Sequence, residues 1–293
     1  MNVLSLFDGI SAGRLALERA GIPVDTYYKS EIDKHALKVS TFHYPLDVNL
    51  GDVQGWKDWD IDWSSIDILI GGSPCMGFSF AGKQLAFDDP RSKLFFEYSN
   101  ILKHIQSLNP KVKFMLENVR MKKEYLDVIS SYLDVQPVLI NSSLVSAQNR
   151  IRFYWANFPI SQPQDKNVSL SSIIDITHAS AVCGAYRGRY LINGVRQDSK
   201  MKTAGLTEQR LELRMDNKTN CITTVAKDAV LVLDGAVRNF TTVEYARLQN
   251  FPDNWCNSIS KTQALKAYGN SWTVDVISHI LKDMLKQNTP KRL

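Results

Sequence analysis

Through its first 160 residues the chain alternates two kinds of hydrophobic pattern, and that alternation limits the fold more than any other feature. Short apolar runs at 3–7, 26–30, 66–70, 113–116, 135–141 and 152–156 read as strands. Helical patterns fill 14–20, 32–42 and 94–108, the last closed by Asn109-Pro110. Strands alternating with helices predict an α/β fold, a mostly parallel sheet with helices on both faces. From about residue 161 the texture changes to Ser, Gln, Asn, Gly and charge. Helical patterns return at 242–248, where Thr241-Thr242-Val243-Glu244 forms a capping box, and at 274–286. The chain therefore divides into an α/β domain over 1–165, completed by 258–293, and a smaller loop-rich region over 166–257.

Composition narrows the classes. No apolar run reaches the ~20 residues a membrane span needs. The amino terminus lacks the basic start and cleavage site of a signal peptide. Cysteines at 75, 183, 221 and 256 form no paired CxxC set, so no metal site is expected and a reducing compartment suits them. Net charge is +5, and +4 of it falls between Cys183 and Asn220. Gly184, Gly188, Gly194, Gly205 and Tyr186 interrupt that segment, which predicts irregular basic loops suited to a polyanion such as nucleic acid.

Four short stretches carry chemistry. "LSLFDGISAGRLAL" (4–17) is a strand, a glycine turn and a helix, the place where α/β sheets hold nucleotide-like ligands. The full GxGxxG fingerprint is absent, which argues against a dinucleotide. Glu31 follows the next strand, where a carboxylate can bind ribose hydroxyls, and Asp52 follows a third candidate strand. "GGSPC" (71–75) sets Cys75 on a turn after a strand, a nucleophile candidate if the site favours its thiolate. "FMLENVR" (114–120) places Glu117 at a strand end, where a half-buried carboxyl can donate a proton. "QNRIRFYWA" (148–156) alternates Gln148, Arg150 and Arg152 on one face. Singly, each stretch also fits a plain structural role: a turn, an inert cysteine, surface acids, a salt bridge.

Together and in this order they resemble the DNA (cytosine-5) methyltransferase family. The likeness continues through "GKQLAFDDPRSKLFFE" (82–97), "TTVEYARLQNFPDNW" (241–255) and "YGNSWTVDVI" (268–277). It covers the chain from Val3 to about Ile280 except the basic segment, which is the family's variable target-recognition region. The resemblance implies a Rossmann-like methyltransferase sheet, S-adenosylmethionine as cofactor and S-adenosylhomocysteine as product. It implies that Cys75 attacks C6 of a flipped cytosine, Glu117 meets N3 and the exocyclic amine, Arg152 holds O2 and Arg150 supports the site. Phe7, Gly9, Ile10, Ser11, Glu31, Ile32, Asp52, Val53, Leu94, Asn270 and Ser271 would line the cofactor pocket. Ser79, Lys83 and Arg91 on a closing loop, with Gln148, Arg187 and Arg189, would meet DNA. Met76 stands where many members have Gln, and Trp272 where the commonest motif has Val.

The same resemblance implies double-stranded DNA as partner, a monomer, and a cytoplasmic setting in a bacterial or phage-infected cell. It leaves a cognate restriction endonuclease open. Three other readings share the fold: a tRNA cytosine-5 methyltransferase, an inactive DNA-binding relative, and a nicotinamide-dependent oxidoreductase. The first carries a Cys-Phe-Thr signature absent here. The second would have lost the cysteine, glutamate or arginines, and the third would keep the missing glycine.

Overall fold

The computed structural model describes residues 1–74, 93–174, 181–192, 195–196 and 207–286. Its larger sheet is built from β1 (Asn2–Leu6), β2 (Thr26–Ser30), β3 (Val48–Asn49), β4 (Ile68–Gly71), β5 (Lys113–Val119), β6 (Val138–Asn141) and β7 (Ile151–Ala156). The seven strands lie in the order β3-β2-β1-β4-β5-β7-β6. Pairing is parallel from β3 to β5, and β7 runs antiparallel between β5 and β6.

Helices α1 (Ala12–Ala20), α2 (Lys34–His43), α3 (Leu94–Leu108), α4 (Lys123–Leu133) and α7 (Val274–Lys286) cover both faces. Alternation along the strands decides which residues meet which layer. Val3, Ile68, Ile70 and Met115 join the core under α1, α2 and α7. Leu4, Leu69, Phe114 and Leu116 join the core under α3 and α4. Strands buried on both sides therefore read as unbroken apolar runs rather than alternating ones.

Local signals set the element ends. α1 stops at Gly21, whose φ of 72° lets its N–H reach the Glu18 carbonyl while Ile22 N–H reaches Leu17. α2 begins at Lys34, two residues later than its hydrophobic pattern predicts. Asp33 caps it, accepting from the His35 and Ala36 amides, while the Ile32 and Asp33 amides turn back to Glu31. α5 (Thr242–Leu248) carries the expected capping box: Thr241 and Glu244 satisfy one another's amides.

The basic segment departs from the loops expected of it. β8 (Ala181–Ile192), β9 (Val195–Arg196), β10 (Thr207–Leu213), β11 (Val230–Leu233) and β12 (Ala236–Asn239) form a five-stranded antiparallel sheet. Gly184 and Gly188 sit within a long ribbon, where cross-strand backbone bonds outweigh weak side-chain propensity. Cys183, Leu231 and Leu233 join the core under α1 and α7, so the two sheets share one apolar interior. α6 (Lys261–Asn270), not among the helices expected above, returns the chain to the carboxyl ends of β1 and β4.

Candidate active site

The carboxyl ends of β1, β2, β4 and β5 open into a cleft of about 360 Å³. Its floor is the turn after β1, where Phe7, Gly9 and Ser11 all have φ near +60°. Two of these are not glycine, so the turn must be held in place. Asp8 does so from below: its buried carboxylate accepts from the hydroxyls of Ser5, Ser11 and Tyr27, each at 2.7 Å. Burial pushes the Asp8 carboxyl up from its ordinary value, and those three hydrogen bonds pull against it. The backbone of Gly9 faces open space, with nothing within 4 Å of where a Cβ would stand.

Glu31, at the end of β2, closes one side. Its Oε2 accepts from Gly9 N–H at 2.8 Å, and Oε1 accepts from the amides of Ile32 at 2.8 Å and Asp33 at 2.7 Å. Burial raises this carboxyl, and the three amides oppose that shift. The opposite rim comes from α6, where Lys266 reaches Asp33 Oδ2 at 3.3 Å across the cleft mouth.

At the far end stands Glu117, on β5 and buried. Arg152 Nε lies 3.0 Å from its Oε1, and Trp272 Nε1 donates to its Oε2 at 3.0 Å. β7 pairs antiparallel with β5, placing Arg152 opposite Val119 and close to the carboxylate. Asn118 donates to Ser73 Oγ at 3.2 Å and so ties β5 to the loop that leaves β4 toward position 75.

Arg150 also lines the cleft, but its guanidinium is spent on the protein itself. It donates to the carbonyls of Ile222 (3.1 Å), Gly269 (3.3 Å) and Ser271 (2.9 Å), and to Cys221 Sγ (3.3 Å). This makes it a strut between β7, the basic segment and the end of α6, a narrower part than a reacting group. Gln148 requires a correction. It is fully buried, accepting from Ile222 N–H and donating to Leu248 O and Gln249 Oε1, so it cannot face DNA. The Gln-Arg-Arg alternation does share a face, but α5 and α6 cover most of it.

Of the expected cofactor residues, Phe7, Gly9, Ile10, Glu31, Asn270 and Ser271 line the cleft. Ser11 lies beneath it, bonded to Asp8. Ile32 stands 71% exposed beside Glu31. Asp52 caps the short 3-10 helix Val53–Asp58, Val53 is buried with Trp56, and Leu94 opens α3 against the same core. Cys75, Ser79, Lys83 and Arg91 lie outside the described residues, as does the side chain of Arg189. Arg187 sits in β8, directly opposite Arg210 of β10. Sequence reasoning missed Lys266, Gln263 and any role of Trp272 in holding Glu117. Ala264 and Tyr268, four apart and buried, were the signal for the helix that carries the first two.

Comparisons with known proteins give the chain's family and fold. The profile of the C-5 cytosine-specific DNA methylases matches residues 1–172 and 164–286. The chain is 31% identical to the Type II methyltransferase M1.ScrFI of Lactococcus lactis subsp. cremoris, over 97% of this chain and 78% of that protein. It is 28% identical to the Type II methyltransferase M.HpaII of Haemophilus parainfluenzae, over 97% and 89%. Two solved structures share the fold at 19% identity. One is a putative DNA modification methyltransferase of an Escherichia coli prophage (TM-score 0.66, covering 99% of this chain and 100% of that one). The other is a DNMT2 mutant of Spodoptera frugiperda (TM-score 0.65, covering 97% and 99%). Among the described residues no helix is long and apolar enough to cross a membrane. Matched along nearly its whole length, the chain belongs to the C-5 cytosine-specific DNA methylase family and is a cytosine-5 methyltransferase, and that membership implies a methyl donor of the S-adenosylmethionine type.

Proposed function

We propose that this protein methylates C5 of a cytosine within a short specific sequence of duplex DNA, acting on a flipped-out base through a transient bond from Cys75 to C6. One observation carries the reading: a buried carboxylate, Glu117, is fixed beside Arg152 in the same cleft that holds the Gly9–Glu31 turn.

The residues of the cleft fit S-adenosylmethionine. The volume is that of a small-molecule site, the Gly9 backbone leaves room for close approach, and Glu31 can accept ribose hydroxyls. Phe7, Ile10, Asn270 and Ser271 would form its walls, with Ser11, Ile32, Asp52, Val53 and Leu94 in support. Bound there, the cofactor supplies an electrophilic methyl group and leaves as S-adenosylhomocysteine.

Cytosine C5 is a weak nucleophile, so the protein must activate it. The Cys75 thiolate adds to C6 and moves electron density toward C5, while Glu117, entering the step as the carboxylic acid, gives its proton to N3 and as the carboxylate then accepts from the exocyclic amine. Arg152 balances charge at O2, and Arg150 holds the strand that carries it. Once C5 bears the methyl group, its proton passes to water, the C5–C6 double bond reforms as the Cys75 thiolate leaves, and N3 returns its proton to Glu117. A base inside a duplex is out of reach, so it is extruded at a cost of a few kcal/mol.

Residues 166–257 are proposed as the target-recognition region, inserted in a catalytic domain made of 1–165 and 258–293. The β8–β10 ribbon supports a duplex partner, because a two-stranded ribbon fits the major groove. Arg187 and Arg189 would contact DNA from it, and Ser79, Lys83 and Arg91 from the loop that closes on the base. The Type II relatives support a restriction-modification setting; the enzyme is proposed to act as a monomer, and a cognate endonuclease is left open.

The test is a duplex carrying 5-fluorocytosine in the target sequence, incubated with S-adenosylmethionine. A denaturation-resistant protein–DNA adduct is expected from the native chain and none from Cys75→Ser. Tritium transfer from labelled cofactor to RNA rather than DNA, or an adduct that survives Cys75→Ser, would overturn the reading.

A further inference from the structure

Trp272 sits where an apolar residue would suffice to wall a cofactor cleft, yet its indole makes a directed polar contact. Nε1 donates to Glu117 Oε2 at 3.0 Å while Arg152 Nε holds Oε1 at 3.0 Å. A carboxylate gripped by a different donor on each oxygen has its plane fixed, and each oxygen keeps a lone pair for a ligand.

The indole is itself immobilised. A Cβ on Gly72 would stand 2.7 Å from Trp272 Nε1, and one on Gly13 would stand 3.2 Å from its ring edge. Glycine at both positions admits the ring between the end of β4 and the first turn of α1. The backbone on either side is tied down too. Gln249 donates to the Ser271 carbonyl at 3.1 Å, accepts from the Thr273 hydroxyl at 2.8 Å, and its carbonyl accepts from Val274 N–H at 3.0 Å. The donor is neutral, so it orients the carboxyl without adding a second cation beside Arg152.

We propose that Trp272 is a positioning residue for Glu117, setting the carboxyl plane in which the target base is met. The inference rests on the reading that Glu117 contacts that base, and the test separates the two. Single-turnover methylation, with enzyme in excess over DNA, is measured for the native chain, Trp272→Phe, Glu117→Gln and the double variant. Trp272→Phe keeps an aromatic ring and removes the N–H. It is expected to slow the single-turnover rate about tenfold, the size of one hydrogen bond missing from the transition state. Dissociation constants for S-adenosylhomocysteine and DNA should stay within twofold. In the Glu117→Gln background the same change should cost less than twofold, because a residue acting through Glu117 has nothing left to position. Trp272→Leu, which is smaller than the native side chain, repeats the measurement should the phenylalanine variant fail to bind S-adenosylhomocysteine. Equal tenfold losses in both backgrounds would overturn the inference, as would weaker cofactor binding with an unchanged rate. A Glu117→Gln variant as fast as the native chain would instead overturn the reading of Glu117.

Discussion

Cys221 lies 3.3 Å from one nitrogen of Arg150 and 3.9 Å from one of Arg152. Burial works against its thiolate, but the two guanidiniums outweigh that, and the thiol sits below its ordinary value. At Cys183 and Cys256 burial dominates and pushes both up, Cys256 to about 12, and the charge of Arg214 offsets only part of that at Cys183. Iodoacetamide at pH 7.5 should therefore alkylate Cys221 well before Cys183 or Cys256 in the folded protein, and peptide mass spectrometry reads the order directly. Comparable labelling of the three would contradict the electrostatic account. Glu31 and Glu117 were legible in the sequence because each follows a clear apolar strand, and strand ends fix where a side chain emerges. Trp272 and Cys221 were not, since their importance lies in partners more than 60 residues away. Gln148 misled for a related reason: alternation gives a face, and only the packed fold says whether that face meets water.

The β8–β10 ribbon pairs Arg187 directly with Arg210 across an antiparallel register, and Arg189 with Glu208. Two like charges in opposed positions destabilise a ladder; Glu208, 3.1 Å from Arg210, offsets part of that, and a phosphate over the pair would offset the rest. Replacing Arg187 and Arg210 by Ala should weaken DNA binding and lower the slope of log K against log salt by about 2, one for each phosphate left without its arginine. The free protein should melt no lower than the native one. Binding measured by fluorescence anisotropy at several salt concentrations checks both the affinity and the slope; an unchanged slope would mean that the phosphates are neutralised by other residues. At this scale the helices were the clearer signal. α3 runs over the residues its pattern marks, closed by Asn109 and Pro110, and α2 misses by two because Asp33 caps it. The ribbon escaped because glycine and alternating charge mimic a loop until a partner strand is present.

Taken whole, the molecule gathers the charges of Asp8, Arg14, Lys29 and Asp47 around α1 and β2. Asp47, just after α2, has its carboxyl pushed up to about 6, first by burial, with the charges of Arg14 and Lys29 pulling against it. The folded value lies above the ordinary carboxylate one, so folding takes up a proton there. Stability from this group is full below pH 4 and lost as pH rises through about 6. Asp47→Asn should accordingly melt above the native chain at pH 7.5, and the gap should close as pH falls toward 4. A gap that is constant with pH, followed by thermal melts, would show that the charge is not the cause.

The path of the chain through this architecture has a temporal side. β1 is central and early, yet α7 packs against α1, and Ser271 and Trp272 complete the cleft from more than 260 residues downstream. While the protein is being translated, the five parallel strands from β3 to β5 can pair before residues 261–286 emerge from the ribosome. Until those residues arrive, Arg150 lacks two of the three carbonyls that brace it, those of Gly269 and Ser271, and Glu117 lacks the Trp272 donor. The cleft is thus completed only when the chain's own late segment closes back on its first strands.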